Sequence, residues 1–391
     1  MSWHRFAFVL LLAVALVAPA IAQDEPAEPP SERAGEEEAV PEPTAAPAPS
    51  PTAPAPSATP TPGPGAILLS DNFDDPAAGV LPRTSADPDR YTRGYTDGEY
   101  RLHSQSDGVP FAAVPGSYEN ASLAVDARIV GDTDRRFIAL YCRVQPGPGF
   151  SGYRLFVAPS DGSLRLQRID GGTSVPLMDW QSRAPIARGS ARNRIELSCA
   201  GSVITIMING TPMGFAFDGT YRGGGMQIAA ISVIGTPTID VRLDNLVVTQ
   251  RAEETPPPPG PYEGSWSGST AGGRDNSFTV SHNSVISLRV NFEIVSSGLN
   301  PCVTTGSSTL SPERPAPIVN DSFSVTVSVP GRSTYTVRGE REASAFEQME
   351  TYVVSGRFTS PATASGEIEI AISGPPDCAG RVASPWTARR T

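Results

Sequence analysis

The sequence predicts an all-β protein built from two antiparallel β-sandwich domains, of which the second is smaller. Apolar and polar residues alternate in short runs separated by turn residues, a pattern typical of half-buried strands. Almost no stretch has the period of an amphipathic helix. A proline-rich segment, "AEETPPPPGP" at 252–261, interrupts the alternation and separates two β-rich regions.

The amino terminus has the pattern of an export signal. Arg5 precedes an apolar run at 6–17, Pro19 ends the run, and "AIA" at 20–22 fits the small residues that signal peptidase prefers. The run is shorter than the roughly 20 residues that span a bilayer, and no later apolar stretch is long enough. We therefore expect a signal peptide at 1–22, no membrane insertion after its removal, and a secreted protein that is extracellular or associated with the cell envelope.

Residues 23–65 are rich in proline, alanine and glutamate and contain no aromatic residue. Such a composition buries too little apolar surface to offset the entropy of ordering, so this segment is predicted to be a disordered linker. It holds eight acidic residues and one arginine, and so accounts for much of the formal net charge of −11. The rest of the chain is only mildly acidic, which argues against nucleic acid as a partner.

The first β-rich region, 66–250, is predicted to be a series of hairpins. "GYRLFVAPSDGSLRLQRIDGG" predicts a strand, a turn at 160–162, a second strand and a turn at 170–172. "NRIELSCAGSVITIMING" predicts two strands joined at 200–201, after which Asn209 and Gly210 start another hairpin. A proline-rich hinge is expected at 251–260, and the second domain at 261–391.

The four cysteines are predicted to form one disulfide in each domain. Cys142 and Cys199 fall on the apolar sides of their strands, and an even number of core-facing cysteines in an exported protein usually forms disulfides. A thiol buried on an apolar face is inert, and no paired CxxC or histidine cluster offers a zinc site. Two free buried thiols are the alternative. The same reasoning pairs Cys302 with Cys378.

Motifs along the first domain resemble the concanavalin A-like lectin/glucanase fold. In order they are "LLSDNFDDP", "YTDGEYRL", "IALYCRV", "GYRLFVAPSDGSLRLQR", "NRIELSCAGSVITIMING" and "VRLDNLVV". More narrowly, they resemble exported bacterial domains akin to laminin G domains and to 3-keto-disaccharide hydrolases. The resemblance implies a jelly-roll sandwich at 66–250 that binds a glycan or another cell-surface ligand.

The resemblance also allows a test for catalysis. Retaining glucanases of this fold use an E-x-D-x-x-E strand, which places a nucleophile and an acid/base on one face. The first domain has no such strand. Asp240 and Asp244 flank Arg242, and an adjacent arginine keeps a carboxylate ionised, which does not suit a general acid. We expect a non-enzymatic binding protein, with a 3-keto-disaccharide hydrolase or a structural envelope protein without ligand as alternatives.

Aromatic residues of the first domain are candidates for carbohydrate contacts, because sugar rings stack on exposed aromatic faces. The candidates are Tyr91, Tyr95, Tyr153 and Trp180. Irregular spacing places Tyr91 and Tyr95 in a predicted loop, so these two are expected to be the most exposed.

Acidic residues at the two ends of the first domain are candidates for a structural calcium site. Asp71 and Asp74 lie at the first predicted strand and Asp244 lies in the last one, and these strands usually meet in such sandwiches. Their oxygen atoms are the ligands that calcium prefers. Solvated carboxylates at strand ends are the alternative.

The second domain shows the same alternation but resembles no family that we recognise. Trp266 and Trp386 are expected to pack together where its first and last strands pair. Glu367 and Glu369 share one face of a strand whose isoleucines take the other face, so they are expected on a solvated surface. The segment "EREASAFEQME" at 340–350 predicts a short helix.

Overall fold

The computed structural model describes residues 62–391 apart from 86, 107, 148, 184, 234, 235, 237, 296–302, 335–344 and 374–379. Every regular element in these ranges is a β-strand, so the all-β prediction is confirmed. The predicted signal peptide, nearly all of the predicted linker, Cys302 and Cys378 lie outside the described residues. Within the described part, no helix is long and apolar enough to cross a membrane.

Fourteen strands form between residues 67 and 250. They are β1 (Ile67–Asp71), β2 (Tyr91–Thr96), β3 (Glu99–Ser104), β4 (Phe111–Tyr118), β5 (Ala121–Ile129), β6 (Arg136–Val144), β7 (Gly152–Ala158), β8 (Ser163–Asp170), β9 (Thr173–Ser182), β10 (Asn193–Ala200), β11 (Val203–Ile208), β12 (Thr211–Phe217), β13 (Gly224–Ser232) and β14 (Ile239–Gln250). The first sheet has the order β12-β11-β10-β5-β14-β3-β2, with β1 also paired to β14. The second sheet has the order β4-β13-β6-β7-β8-β9.

The hairpins form where the turn residues predict them. Turns join β7 to β8 at 159–162 and β8 to β9 at 171–172. Between β11 and β12, Asn209 and Gly210 have φ values of 52° and 78°. Both values lie in the left-handed region that the tight two-residue hairpin turn requires, and asparagine followed by glycine adopts it at little cost.

The first and second sheets pack face to face around one core. Leu123 of the first sheet and Leu140 of the second are fully buried in the same apolar cluster. A disulfide joins Cys142 of β6 to Cys199 of β10, with their Cα atoms 6.5 Å apart. It therefore links the two sheets across the core, and the structure contains the bond that the sequence predicts for this pair.

Nine strands between residues 264 and 390 form the third sheet. They are β15 (Gly264–Thr270), β16 (Asp275–Ser281), β17 (Ser284–Val295), β18 (Val303–Leu310), β19 (Ala316–Pro317), β20 (Ser322–Thr334), β21 (Ala345–Ser360), β22 (Thr363–Ser373) and β23 (Gly380–Arg390). Their order is β18-β17-β16-β15-β23-β22-β21-β20, with β19 paired to β17. Leu310 of β18 and Val327 of β20, at opposite ends of this order, share one core, so the sheet curls around its own apolar face.

The first and last strands of the third sheet pair with each other, as predicted. Trp266 and Trp386 are both buried, and each ring centroid lies 5.6 Å from that of Phe278. On β22, the isoleucines are buried whereas Glu367 is exposed and Glu369 is half-buried. The two glutamates therefore lie on the outer face of the sheet.

The predicted helix at 340–350 is wrong where the chain is described. Residues from Ala345 onward belong to β21, which pairs with β20 on one side and β22 on the other. Glutamate and alanine favour a helix locally, but hydrogen bonding to strands on both sides outweighs that preference. Residues 340–344 lie outside the described ranges.

Polar contacts join β9 of the second sheet to the chain that follows β18. The side-chain amide of Gln181 donates to Ser311 Oγ at 2.5 Å, and Arg183 Nη2 donates to the Ser311 carbonyl oxygen at 2.5 Å. All three residues are buried. These contacts fix the end of β9 directly after Trp180, a residue of the site described below.

Candidate functional site

The outer face of the second sheet, which points away from the core, is apolar at its centre. Tyr141 of β6, Phe156 of β7 and Ala229 of β13 point to this side and form an apolar cluster separate from the core. In an antiparallel sheet with one solvated face, the outward residues are usually polar. An apolar outer face is therefore a departure from the expected pattern and is characteristic of a binding surface.

Five aromatic side chains on this face form what we call the aromatic patch. They are Phe137, Tyr141, Phe150, Phe156 and Trp180. The centroid of the Phe137 ring lies 5.7 Å from that of Phe156 and 5.4 Å from that of Trp180. The rings of Phe156 and Trp180 are 6.0 Å apart and inclined by only 30°. These separations are those of favourable aromatic pairs, so the rings support one another.

Trp180 is the part of the patch most open to solvent, with 42% of its surface exposed. The register between β8 and β9 shifts between Leu164 and Leu166, so that β9 has an extra residue at this point. Such a bulge redirects side chains at a sheet edge. At this point of β9, Trp180 is 42% exposed and lies beside Phe156.

Arg154 adds a polar group to the patch. Its guanidinium carbon lies 4.3 Å from the centroid of the Phe156 ring. Its Nη2 donates to Gln167 Oε1 at 2.9 Å and to Ser174 Oγ at 3.3 Å. Burial raises the pKa of the neighbouring Tyr141, while the charge of Arg154 and a hydrogen bond with it oppose that rise. Arg154 therefore lies among the rings and is held in place by two neighbours on β8 and β9.

A second arginine lies beside Trp180. Arg165 of β8 has its Nη2 atom 3.7 Å from a carboxylate oxygen of Asp179. The Asp179 side chain is largely exposed, so this pair is loose and solvent screens it. The patch thus combines stacked rings with a few polar side chains, the composition that small-molecule and sugar sites use.

Two of the predicted tyrosines are buried, so the expectation of an exposed Tyr91 is wrong. Tyr91 is only 8% exposed and packs against Phe111, with 6.2 Å between ring centroids. Tyr153 is fully buried, and its hydroxyl donates to Asp218 Oδ1 at 2.7 Å. Burial raises the pKa of Tyr153. Tyr153 lies in the core and Tyr91 is covered by Phe111, so neither ring offers an open face to a sugar.

Tyr95 is a structural residue in this fold. Its hydroxyl donates to Asp71 Oδ2 at 2.7 Å and accepts from the Leu81 amide at 2.8 Å. Its ring packs edge-on against Tyr100 at 5.1 Å. Burial raises the pKa of Tyr95, and the hydrogen bond to Asp71 raises it further. The side chain therefore holds the segment between β1 and β2 instead of presenting a ring to solvent.

The three predicted calcium ligands do not converge. Asp71 accepts hydrogen bonds from the backbone amides of Phe73 and Val80, at 2.9 and 2.8 Å, and from Tyr95. Asp74 accepts from the Asn72 side chain at 2.6 Å. The ranges that the structure describes contain no group of three acidic, histidine or cysteine side chains able to hold a metal ion. The carboxylates of Asp71 and Asp74 are therefore engaged in local hydrogen bonds, and the calcium site stays a prediction.

Asp244, the third predicted ligand, lies in a network of ion pairs on the outer face of the first sheet. Its carboxylate accepts from Arg192 Nη1 at 2.5 Å. In the same network, Asp240 accepts from Arg101 Nη2 at 2.7 Å and from Arg242 Nε at 3.0 Å. Burial opposes ionisation of Asp240, but the bonds from the two arginines outweigh it and lower its pKa. Asp240 is therefore held ionised, as predicted from Arg242, and does not supply a general acid.

Of the four predicted aromatic contacts, only Trp180 lies on the open face. Sequence reasoning missed the other members of the patch, although "RRFIALYCRV" and "GYRLFVAP" contain the signal. In both strands Phe137, Tyr141 and Phe156 occupy the positions that should be polar if the outer face were solvated. Apolar residues at consecutive positions of an antiparallel strand indicate that both of its faces are covered or bind something.

Comparison with known proteins gives partial structural likenesses only. No protein-family model matches the chain, and no curated protein matches it. Among solved structures, it is similar to carbohydrate binding module CBM66 from Bacillus subtilis, with 14% identity over 38% of this chain and 86% of that chain and a TM-score of 0.32. It is similar to a Bacillus licheniformis beta-glucanase, with 11% identity over 48% of this chain and 99% of that chain and a TM-score of 0.38.

The chain is also similar to the Caenorhabditis elegans galectin LEC-6, with 14% identity over 37% of this chain and 94% of that chain and a TM-score of 0.28. Identities and TM-scores of this size carry no argument about the function of this chain, which is therefore argued from its own side chains.

Proposed function

We propose that this protein binds carbohydrate through the aromatic patch on the outer face of the second sheet. The observation that carries the proposal is the exposed ring of Trp180, supported by Phe137 and Phe156 on a sheet face that should otherwise be polar. The C–H groups of a sugar ring stack on such an aromatic face, and a few polar neighbours orient its hydroxyl groups. Arg154 stands beside the rings in this role, and the buried Gln167 holds it there.

The patch is well formed for recognition before a ligand arrives. Phe156 contacts Phe137 edge-on, with 5.7 Å between the ring centroids, and the Arg154 guanidinium lies over its ring. Gln181, directly after Trp180, is fixed by its bond to Ser311. A surface that is already ordered loses little conformational entropy on binding, which favours affinity.

We further propose that the protein acts outside the cytoplasm, as a secreted or cell-surface protein. The apolar run at 6–17 supports this, and so does the disulfide between Cys142 and Cys199, because such bonds persist in oxidising compartments. In this proposal the proline-rich segment at 23–65 holds the folded part away from the cell surface.

A glycan array probed with the full chain tests the proposal. We expect binding to a defined set of glycans, and Trp180→Ala should weaken it by about tenfold or more, because central aromatic contacts dominate binding energy. Ile67→Ala is the matched control, since Ile67 is 66% exposed but lies on β1 of the first sheet. Binding that survives Trp180→Ala unchanged would place the ligand elsewhere, and no binding to any glycan would favour a structural role.

A further inference from the structure

Arg154, in the middle of the aromatic patch, is a cation with no ion-pair partner in the described part of the chain. Its hydrogen-bond partners are the neutral side chains of Gln167, Ser174 and Tyr141. Among the described residues, no carboxylate lies within ion-pair distance of Arg154. Arg168, one strand away, shows the contrast, because it pairs with Asp170 at 3.0 Å and with Asp218 at 2.6 Å.

The guanidinium of Arg154 lies next to the aromatic rings on which a sugar is proposed to stack. The guanidinium lies over the ring of Phe156, and Phe156 in turn lies next to the exposed Trp180. A sugar stacked on Trp180 and extending over Phe156 would therefore bring its ring substituents to Arg154. Arginine presents a planar fork of donors that matches carboxylate and sulfate groups.

The arginine is also held in place in advance. Its Nη2 atom is anchored by side chains from β8 and β9, and its Nε atom is buried without a hydrogen-bond partner among the described residues. A side chain that is already held in place loses little conformational entropy when it binds an anion. On the same face, Arg165 lies 3.7 Å from a carboxylate oxygen of the exposed Asp179.

We propose that the ligand of the aromatic patch is an acidic glycan, whose carboxylate or sulfate group binds Arg154 while a neighbouring sugar ring stacks on Trp180. This inference rests on the proposed function, because it names the class of carbohydrate at the same site. The formal net charge of the chain is −11, so overall electrostatics do not favour an anion, and the selectivity comes from this one local contact.

The test compares ligands that differ only in charge. The full chain is titrated calorimetrically with an oligogalacturonate, with the same oligosaccharide after reduction of its carboxyl groups, and with a sulfated form of the reduced oligosaccharide. We expect the carboxylated or the sulfated ligand to bind at least about tenfold more tightly than the neutral one. The preference should diminish as salt is raised, because ions screen the contact.

Variants assign the preference to Arg154. Arg154→Gln should weaken binding of the acidic ligand much more than binding of the neutral one and so remove the preference, whereas Arg154→Lys, which keeps the charge, should retain part of it. Arg165→Gln is the matched control on the same face and should keep the full preference. Thermal unfolding of each variant establishes that it is folded.

Each outcome bears on a different claim. Equal binding of neutral and acidic ligands by the wild-type chain would overturn this inference and leave the proposed function intact. A preference that Arg154→Gln does not change, in a folded variant, would also overturn it. Failure of any glycan to bind would overturn both the inference and the proposed function.

Discussion

Replacing both Cys142 and Cys199 by alanine should destabilise the paired first and second sheets by about 4 kcal/mol. The disulfide closes a loop with a sequence separation of 57 residues. In the chain-entropy model, a cross-link that closes a loop of this length lowers the conformational entropy of the unfolded chain. This raises the free energy of unfolding by about 4 kcal/mol at room temperature. The bond also crosses the core between β6 and β10, so its loss affects both sheets.

Urea unfolding followed by hydrogen exchange and mass spectrometry measures the effect separately in each part of the chain. For a domain of this size, unfolding free energy falls by about 2 kcal/mol per molar urea, so the midpoint should drop by about 2 M. Peptides from β15 to β23 provide the internal control, because their sheet does not contain these cysteines. Their exchange should be unchanged.

A reductant adds a second comparison. In the wild-type protein, the reductant should lower the urea midpoint of the first two sheets to the value of the double alanine variant. In the variant, it should not lower the midpoint of those sheets further. An unchanged midpoint in the double alanine variant, with the bond present in the wild-type protein, would refute the loop-closure argument. A shift that appeared equally in β15 to β23 would show that the two parts unfold as one.

The elements that could be predicted from sequence are those that local patterns determine. Alternation identified the strands, and Asn209 with Gly210 identified a turn because few other pairs adopt left-handed φ values. Cys142 and Cys199 could be paired because both lie on apolar strand faces of a chain that is expected to be exported. In each case the feature depends either on residues that are close in sequence or on the requirement that apolar faces pack together.

The candidate site could not be predicted in the same way, because exposure depends on distant partners. Tyr91 and Trp180 look alike as aromatic residues near polar ones, yet Phe111 covers the first and a bulge in β9 exposes the second. Likewise, the acidic residues near Asp71 in the sequence suggested a calcium ligand. In the structure its carboxylate accepts a hydrogen bond from Tyr95 of the next strand. The strand that begins at Ala345 was missed for a related reason. It is stabilised by pairing with β20 and β22, and those contacts are not visible in its local sequence.

The two remaining predictions concern stability. Trp266→Ala should destabilise the third sheet by about 3 to 5 kcal/mol, because a fully buried ring is replaced by a cavity, and urea unfolding of β15 to β23 measures it. Asp240→Asn should lower stability at pH 7, because Arg101 and Arg242 both lose their hydrogen-bonded ion pair with Asp240, and Arg242 keeps only the longer contact with Glu99 at 4.0 Å. The pKa of Asp240 is lowered in the folded state, so its contribution is present above the ordinary aspartate pKa and is lost as pH falls through the lowered value. The difference in unfolding midpoint between wild type and Asp240→Asn should therefore shrink on acidification from about pH 5 downward, whereas Asp179→Asn, at an exposed and looser pair, should differ little from wild type at any pH. A difference for Asp240→Asn that stayed constant to low pH would show that the side chain contributes through packing and not through its charge.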